Sequence, residues 1–345
     1  MSFLYDDEYV PSTKAAPFVT CKTYVIMDPK KGKVLHEKNA GEVREMASLT
    51  KMMTAIVSIE LAREMNLDLK TTYFRVSEKA SQTTGTTAYL VEGQKLSIYD
   101  LLHGLMLPSG NDAAVTLAEN FSERIFDAKT QHQKNNTYFS KSYSLFIKQM
   151  NATAKRIHVR NTAYTNPHGL ADKANHSTAF DLAKIASYGM KEEIFRQVVN
   201  TVEYRSISYL PKKNITRLPN KDFASFSVAE SIPFENPSDL EYVYFHHVWY
   251  NSNKLLGCPG FSGVKTGITS TAGPCLCIYF SNASLNMSLI TVVLGSKNIE
   301  YRWKDTRRLT LWANAILEEK HTQNCSPVRR KDTLADKNKL PRRFD

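Results

Sequence analysis

Ala47-Ser48-Leu49-Thr50-Lys51-Met52-Met53-Thr54 is the stretch on which the fold is read. It places a Ser and a Lys three residues apart at the head of an apolar segment. On a helix, positions i and i+3 lie on one face, one turn apart. A hydroxyl then sits beside an amine, close to backbone N–H groups and the positive end of the helix dipole. A Ser nucleophile needs this: a base within reach and donors for a developing oxyanion. Taken alone, Ser-x-x-Lys is in most cases the start of an ordinary surface helix. Two later stretches, Ser109-Gly110-Asn111 and Lys265-Thr266-Gly267, fit as parts of the same site.

Working outward from Ser48, the helix is expected to run to about Glu64, with Met53, Ile56, Val57 and Leu61 in helical spacing. Before it, Thr20 to Met27 and Val34 to His36 read as a hairpin around the turn 28–33. Residues 66–165 read as mostly helical, apart from an irregular Thr/Gly stretch at Ser81–Thr87. The apolar helix over Asp100–Leu107 stops at Pro108, which puts Ser109-Gly110-Asn111 on a loop, with the next helix starting near Asp112. Residues 129–144 read as a polar loop insertion, and Asn166-Pro167-His168-Gly169-Leu170 as a turn. Ser177 or Thr178 caps a helix through Leu182 and Ile185. Residues 205–245 mix Pro, Asn and aromatics without clear period and read as an irregular excursion with strand pieces. Two apolar strands, 276–281 and 285–294, follow Lys265-Thr266-Gly267, and an amphipathic helix spans Arg302–Glu319. Residues 320–345 carry eight Lys/Arg against three Asp, so a disordered basic tail is expected.

The chain has 345 residues, 42% apolar and 23% charged, an ordinary globular balance with enough length for a substantial core. Net charge is +11, but the basic residues are spread along the chain and not interleaved with stacking aromatics. No nucleic acid is therefore expected as a partner, and the charge reads as a solvated surface. Five Cys at irregular spacing make no disulfide framework. Cys275 and Cys277 would share one face of a strand as packing residues, and no metal is expected. Met1–Tyr9 holds three acids and no basic-then-apolar pattern, so no signal peptide is expected. No apolar run is long enough to span a bilayer, and the location implied is cytoplasmic. The Asn-x-Ser/Thr triplets at Asn135 and Asn214 then read as chance matches.

The order Ser-x-x-Lys, Ser-x-Asn, Lys-Thr-Gly is that of the acyl-serine enzymes that recognise β-lactams. Together with Leu105–Ala114, Thr165–Leu170, His176–Ala179, Asn253–Leu256 and Gly263–Gly267, the chain resembles the D-alanyl-D-alanine carboxypeptidases of peptidase family S11, low-molecular-mass penicillin-binding proteins, over about residues 20–320. The resemblance implies a β-lactamase/transpeptidase-like fold of the mixed α/β class: an antiparallel sheet flanked by helices, joined to an all-helical lobe. On that basis residues 1–18 are a lead-in, 19–320 the catalytic domain and 321–345 the tail. The α/β lobe would take about 19–65 and 175–320, the helical lobe about 66–174.

The same resemblance assigns roles. Ser48 is the nucleophile, Lys51 the candidate base and Ser109 the relay to the leaving amine. Asn111 holds Lys51 and the substrate backbone, Lys265 supplies positive potential, and Thr266 and Gly267 receive an extended peptide and its terminal carboxylate. The backbone N–H groups of Ser48 and Ile268 form the oxyanion hole. Arg302 aligns with an Arg near the carboxylate pocket, although a surface helix start is an equal reading. His168 is placed in a structural turn, and His246 and His247 in the irregular excursion.

Many family members carry His after Lys-Thr-Gly, where this chain has Ile268, which bears on substrate preference more than on acylation. The family's export signal and C-terminal β-domain are not seen, and the insertions are unusual, which leaves room for a repurposed enzyme. The activity implied is removal of a C-terminal D-Ala from a peptide through an acyl-Ser48 ester, by a monomer with no cofactor. The alternatives are a β-lactamase or esterase on the same fold, and a non-catalytic module for peptides or anionic polymers. Absence of a Glu between Tyr164 and Asp181 argues against fast β-lactam hydrolysis, and the intact Ser48, Lys51, Ser109, Asn111, Lys265 and Thr266 argue against a binding module.

Overall fold

Alternation along the central strands decides the layering. In β1 (Thr23–Asp28), Tyr24 and Ile26 belong to one apolar cluster while Val25 and Met27 belong to another. A strand with both faces buried must lie in the middle of a sandwich. The structure, a computed structural model, describes residues 15–129, 143–212 and 242–325. Most of the expected insertion at 129–144, the middle of the 205–245 excursion, the triplets at Asn135 and Asn214, and the tail beyond 325 lie outside the described residues.

β1 and β2 (Lys33–Lys38) form the expected hairpin. The two-residue β3 (Arg44–Glu45) is followed by a 3-10 turn over Ala47–Leu49 and by α1 (Thr50–Glu64). Next come β4 (Tyr73–Arg75), α2 (Glu78–Ser81), β5 (Lys95–Ser97), α3 (Ile98–Met106) and α4 (Asn111–Lys129). α5 (Ser144–Arg156), β6 (His176–Ser177), α6 (Ala179–Gly189) and α7 (Glu193–Asn200) follow. The chain then runs through β7 (Glu203–Pro211), β8 (Tyr242–Tyr250), β9 (Phe261–Thr269), β10 (Gly273–Asn282), β11 (Met287–Leu294) and α8 (Ile299–Cys325).

The main sheet has the order β2-β1-β11-β10-β9, all antiparallel, with β9 at an edge. α8 covers one face through Trp303, Leu309 and Trp312, against Ile26, Leu276, Ile278 and Val293. α1 and α6 cover the other face, against Val25, Cys275, Cys277, Ile290 and Val292. Both cysteines thus pack in the core, and burial raises the Cys275 thiol to about 11. Among the described residues no cluster of His, Cys, Asp or Glu is arranged to hold a metal, and no helix is long and apolar enough to cross a membrane.

α1 is buried around most of its circumference, including the polar Thr50, Lys51, Thr54 and Ser58. A helix with no solvent face must bury its polar groups in specific partners. Thr54 Oγ1 donates to the Pro167 carbonyl (2.6 Å), and Thr50 Oγ1 donates to Ala47 O (2.9 Å) while accepting from Asn175 (3.0 Å). The base of the helix is thereby tied to the 166–175 segment.

The second lobe differs from the expected all-helical unit. Around α3, α4 and α5 it carries a four-stranded sheet of order β4-β5-β7-β8. β4 and β5 have three residues each, too few to show a period-2 pattern. β7 and β8 pair over Glu203↔Tyr250 to Pro211↔Tyr242, so both ends of the excursion are regular strand, and they join this lobe rather than the main sheet. Their inward residues Tyr204 and Trp249 stack with His103 and His247. Ser97 caps α3 in a capping box with Asp100, and Thr178 rather than Ser177 caps α6.

Candidate active site

Ala47 has φ +50°, a left-handed value that turns the chain sharply into α1 and sets Ser48 on the rim, half-buried, one turn before Lys51. Lys51 lies fully buried beneath it, and its Nζ meets three oxygens: Ser48 Oγ at 3.0 Å, Asn111 Oδ1 at 2.6 Å and the His168 carbonyl at 2.7 Å. Burial and the neighbouring positive charge of Lys265 hold its pKa well below the ordinary value, while Asp112 opposes them.

Asn111 begins α4 rather than ending the preceding loop. Its amide Nδ2 donates to Thr84 O at 2.7 Å, which leaves Oδ1 for Lys51. The next residue, Asp112, accepts from the backbone N–H groups of Ala88 (2.9 Å) and Leu90 (2.9 Å) and from Thr87 Oγ1 (2.7 Å), so the irregular Thr/Gly stretch is folded against the site. Ser109 sits at φ +66° with its carbonyl held by Thr86 Oγ1 at 2.6 Å. Its own Oγ is buried without a hydrogen-bond partner among the described residues. Leaving a buried hydroxyl unpaired is costly, and such costs concentrate at functional sites.

The Asn166–Leu170 turn supplies a floor. Asn166 Oδ1 accepts from Gly169 N at 2.7 Å, and the His168 ring Nδ1 accepts from Leu170 N at 3.1 Å. Burial and the Lys51 charge push His168 down to about 3, so the ring is neutral and serves the turn, as the sequence implied. Gly169 has φ +86°, and a Cβ there would stand 2.0 Å from the Ala47 carbonyl.

β9 supplies the opposite wall. Lys265 is buried, with Nζ donating to Thr266 O at 3.0 Å, and burial together with Arg302 lowers it to about 7. Thr266 Oγ1 is within 2.8 Å of Ser252 Oγ. Gly267 lets the strand approach the nucleophile, since a Cβ would lie 3.0 Å from Ser48 N and 2.9 Å from Leu49 Cδ1. Ile268 lies opposite Pro274, which has no N–H to give, and the Pro274 carbonyl accepts from Ser296 on its other side (3.0 Å). The Ile268 N–H and C=O are therefore not consumed by the sheet and face out of its edge.

Arg302 is not a surface helix start. It is 7% exposed, stacks on Trp303, and donates from Nη1 to the Gly267 carbonyl at 3.1 Å, reaching β9 from the α8 side. Burial lowers its pKa to about 10. Sequence reading missed Asp112 and Thr84, whose importance lies in contacts that only the folded 84–90 loop makes. His247 is in the second lobe, buried against Ser208 at 2.8 Å, and His246 pairs with Ile207; neither belongs to the constellation.

Comparison with known proteins points to one family. The family model described as D-alanyl-D-alanine carboxypeptidase, peptidase S11, matches residues 10–125 and 136–229. The D-alanyl-D-alanine carboxypeptidase of Streptomyces sp. strain K15 is 30% identical over 292 residues, covering 83% of this chain and 84% of its own. DacF of Bacillus subtilis is 29% identical over 81% of this chain, and DacC of Escherichia coli 28% over 89%. The chain spans 59% and 64% of the length of these last two relatives. Among solved structures, the Streptomyces K15 DD-transpeptidase superposes with a TM-score of 0.69 at 28% identity, over 87% of this chain and 99% of that one. DacD of Francisella tularensis gives 0.66 at 27%, over 90% and 73%. This chain belongs to the S11 family of D-alanyl-D-alanine carboxypeptidases.

Proposed function

We propose that the chain is a serine-type D-Ala-D-Ala carboxypeptidase working through an acyl-Ser48 intermediate. The observation that carries this reading is the set of contacts at Lys51 Nζ. A neutral amine has two N–H groups and one lone pair. The Asn111 side-chain carbonyl and the His168 backbone carbonyl can only accept, so they take both N–H groups. The lone pair is left for the third neighbour, Ser48 Oγ at 3.0 Å, whose proton it can remove. The lowered pKa of Lys51 favours that neutral form.

In the proposed reaction Ser48 Oγ attacks the carbonyl of the penultimate residue and passes its proton to Lys51. The oxyanion sits between the N–H groups of Ser48 and Ile268. Ser109 Oγ, which has no other partner, gives its proton to the departing D-Ala nitrogen as the C–N bond breaks and takes up the proton held by Lys51, which returns to the neutral amine. Water then adds to the ester with Lys51 again as base, and the Ser48 hydroxyl is restored. The terminal carboxylate lies against Lys265 and Thr266. Arg302 acts as a positioning residue through Gly267. β-Lactams, as mimics of the scissile bond, would be trapped at the ester stage. Every group in this scheme comes from one chain, so the working unit is proposed to be a monomer, which light scattering checks.

The test is release of free D-Ala from an N-acylated peptide ending in D-Ala-D-Ala. Wild type is expected to release it and Ser48→Ala to release none. Equal release by both, or release by neither when both are folded, would sink the reading. Adding an amine acceptor to the same assay shows whether water or amine resolves the ester.

A further inference from the structure

Thr266, which receives the terminal carboxylate in the scheme above, has a hydroxyl neighbour that the scheme does not use. Its Oγ1 lies 2.8 Å from Ser252 Oγ, and neither hydroxyl has another hydrogen-bond partner among the described residues. Ser252 is solvent-exposed and lies just past the end of β8. The backbone that carries it is tied down on both sides. Trp249 Nε1 donates to the Ala88 carbonyl at 3.0 Å. Asn251 N donates to Val202 O (2.8 Å), and its amide Nδ2 donates to Val199 O (3.1 Å) and Thr201 O (3.0 Å). Ser252 N donates to Leu107 O at 3.1 Å, close in the chain to Ser109. Asn253 N donates to Asn251 Oδ1 (2.9 Å), and Asn253 Oδ1 accepts from Leu255 N (3.1 Å). An exposed Ser on a loose turn would give its hydroxyl to water. Here the second lobe fixes the turn and the side chain is held against β9, so little entropy is lost in keeping it there.

Counting protons gives the pair a direction. A Ser or Thr hydroxyl has one proton to give and two lone pairs that accept. A carboxylate can only accept. Once Thr266 gives its proton to the terminal carboxylate, its contact with Ser252 survives only with Ser252 as the donor. The hydroxyls then form a chain, Ser252 to Thr266 to carboxylate, in which the first bond polarises the second. A neutral carboxamide in the same place gains less, because the bond it accepts is not charge-assisted.

We propose that Ser252 is a positioning residue for substrate selection: it holds the Thr266 hydroxyl as a donor and so favours peptides with a free terminal carboxylate over those with a neutral C-terminus. This rests on the peptidase reading above. Ser252 bonds to neither Ser48 nor Lys51. Its effect therefore falls on binding of the carboxylate, in ground state and transition state alike, and not on the acylation step itself.

The experiment uses two N-acyl-D-alanyl thioesters that differ only in the leaving thiol, which carries a carboxylate in one and the matching carboxamide in the other. A thioester is activated enough to acylate Ser48 without help from the carboxylate, so both can be followed by thiol release. Wild type is expected to prefer the carboxylate by about 100-fold in kcat/KM. Ser252→Ala is expected to raise KM for the carboxylate substrate about tenfold, with its kcat and both constants for the carboxamide unchanged. Ser252→Thr, which keeps the hydroxyl, is expected to restore the preference. An undiminished preference in Ser252→Ala, or an equal loss on both substrates through kcat, would overturn the role of Ser252 and spare the peptidase reading. No thiol release from either substrate by folded wild type, together with no D-Ala release from the peptide, would overturn that reading and this inference with it.

Discussion

Lys51 and Lys265 share one buried site, and burial pushes both below their ordinary pKa, with the Lys265 charge acting further on Lys51 and Arg302 on Lys265. Their roles need opposite protonation states. Lys51 must be neutral to accept the Ser48 proton, so acylation rises with pH as it loses its own. Lys265 must be charged to attract the terminal carboxylate, so peptide turnover falls as it deprotonates near pH 7. A bell-shaped kcat/KM profile is expected, and a rate that climbs steadily to pH 10 would contradict it. Asn111→Ala removes one of the two acceptors that fix the Lys51 lone pair. It is expected to slow acylation about 10- to 100-fold, the worth of a hydrogen bond to a group that carries charge during the reaction, measured by stopped-flow with a fluorescent penicillin. Residue identities at this scale were legible in the three short motifs. Arg302 was placed near the carboxylate pocket by the family resemblance alone, because nothing in its local sequence distinguishes a helix start that points inward from one that faces water.

At the scale of elements, two glycines hold the site's walls together. Gly169→Ala would drive a Cβ into the Ala47 carbonyl at a backbone angle that L-residues avoid. The turn carrying the His168 carbonyl must then move off Lys51. A loss of about 2–4 kcal/mol in denaturant stability is expected, with acylation impaired alongside. Gly267→Ala acts differently, pressing on Ser48 N and Leu49 from an otherwise ordinary strand. It is expected to widen the oxyanion hole and cut acylation about 100-fold with little change in stability, and an unchanged acylation rate would contradict the assignment of Ile268 N–H. The β1–β2 hairpin, α1, β10, β11 and α8 were readable from their apolar runs and bounding turns. β4 and β5 were not, because three residues carry no period. β7 and β8 were obscured because the Pro- and Asn-rich residues between them break the alternation that Tyr204, Ser206 and Ser208 begin.

For the whole molecule, stability depends on keeping three histidines neutral. Burial pushes His103 and His247 down to about 4 and His168 to about 3. Below the unfolded value of 6.5 the unfolded chain takes up protons that the folded chain refuses. Stability is therefore full above pH 6.5 and is lost as pH falls toward 4, by on the order of 3 kcal/mol per histidine. A denaturant midpoint that falls steeply between pH 6.5 and 4.5 is expected, with a shallower fall in His103→Phe, which keeps the stack on Tyr204. The assembled site is also a whole-molecule property. Ser48, Asn111, His168 and Ile268 come from four separate parts of the chain, and no local pattern joins them; only the family's motif order did so before the fold was known.

The most direct measurement is intact-mass analysis after incubation with a fluorescent penicillin, with peptide mapping of the adduct. The account predicts one covalent adduct on wild type, mapped to Ser48, and none on folded Ser48→Ala. An unlabelled but folded wild type, or equal labelling of Ser48→Ala, would contradict it.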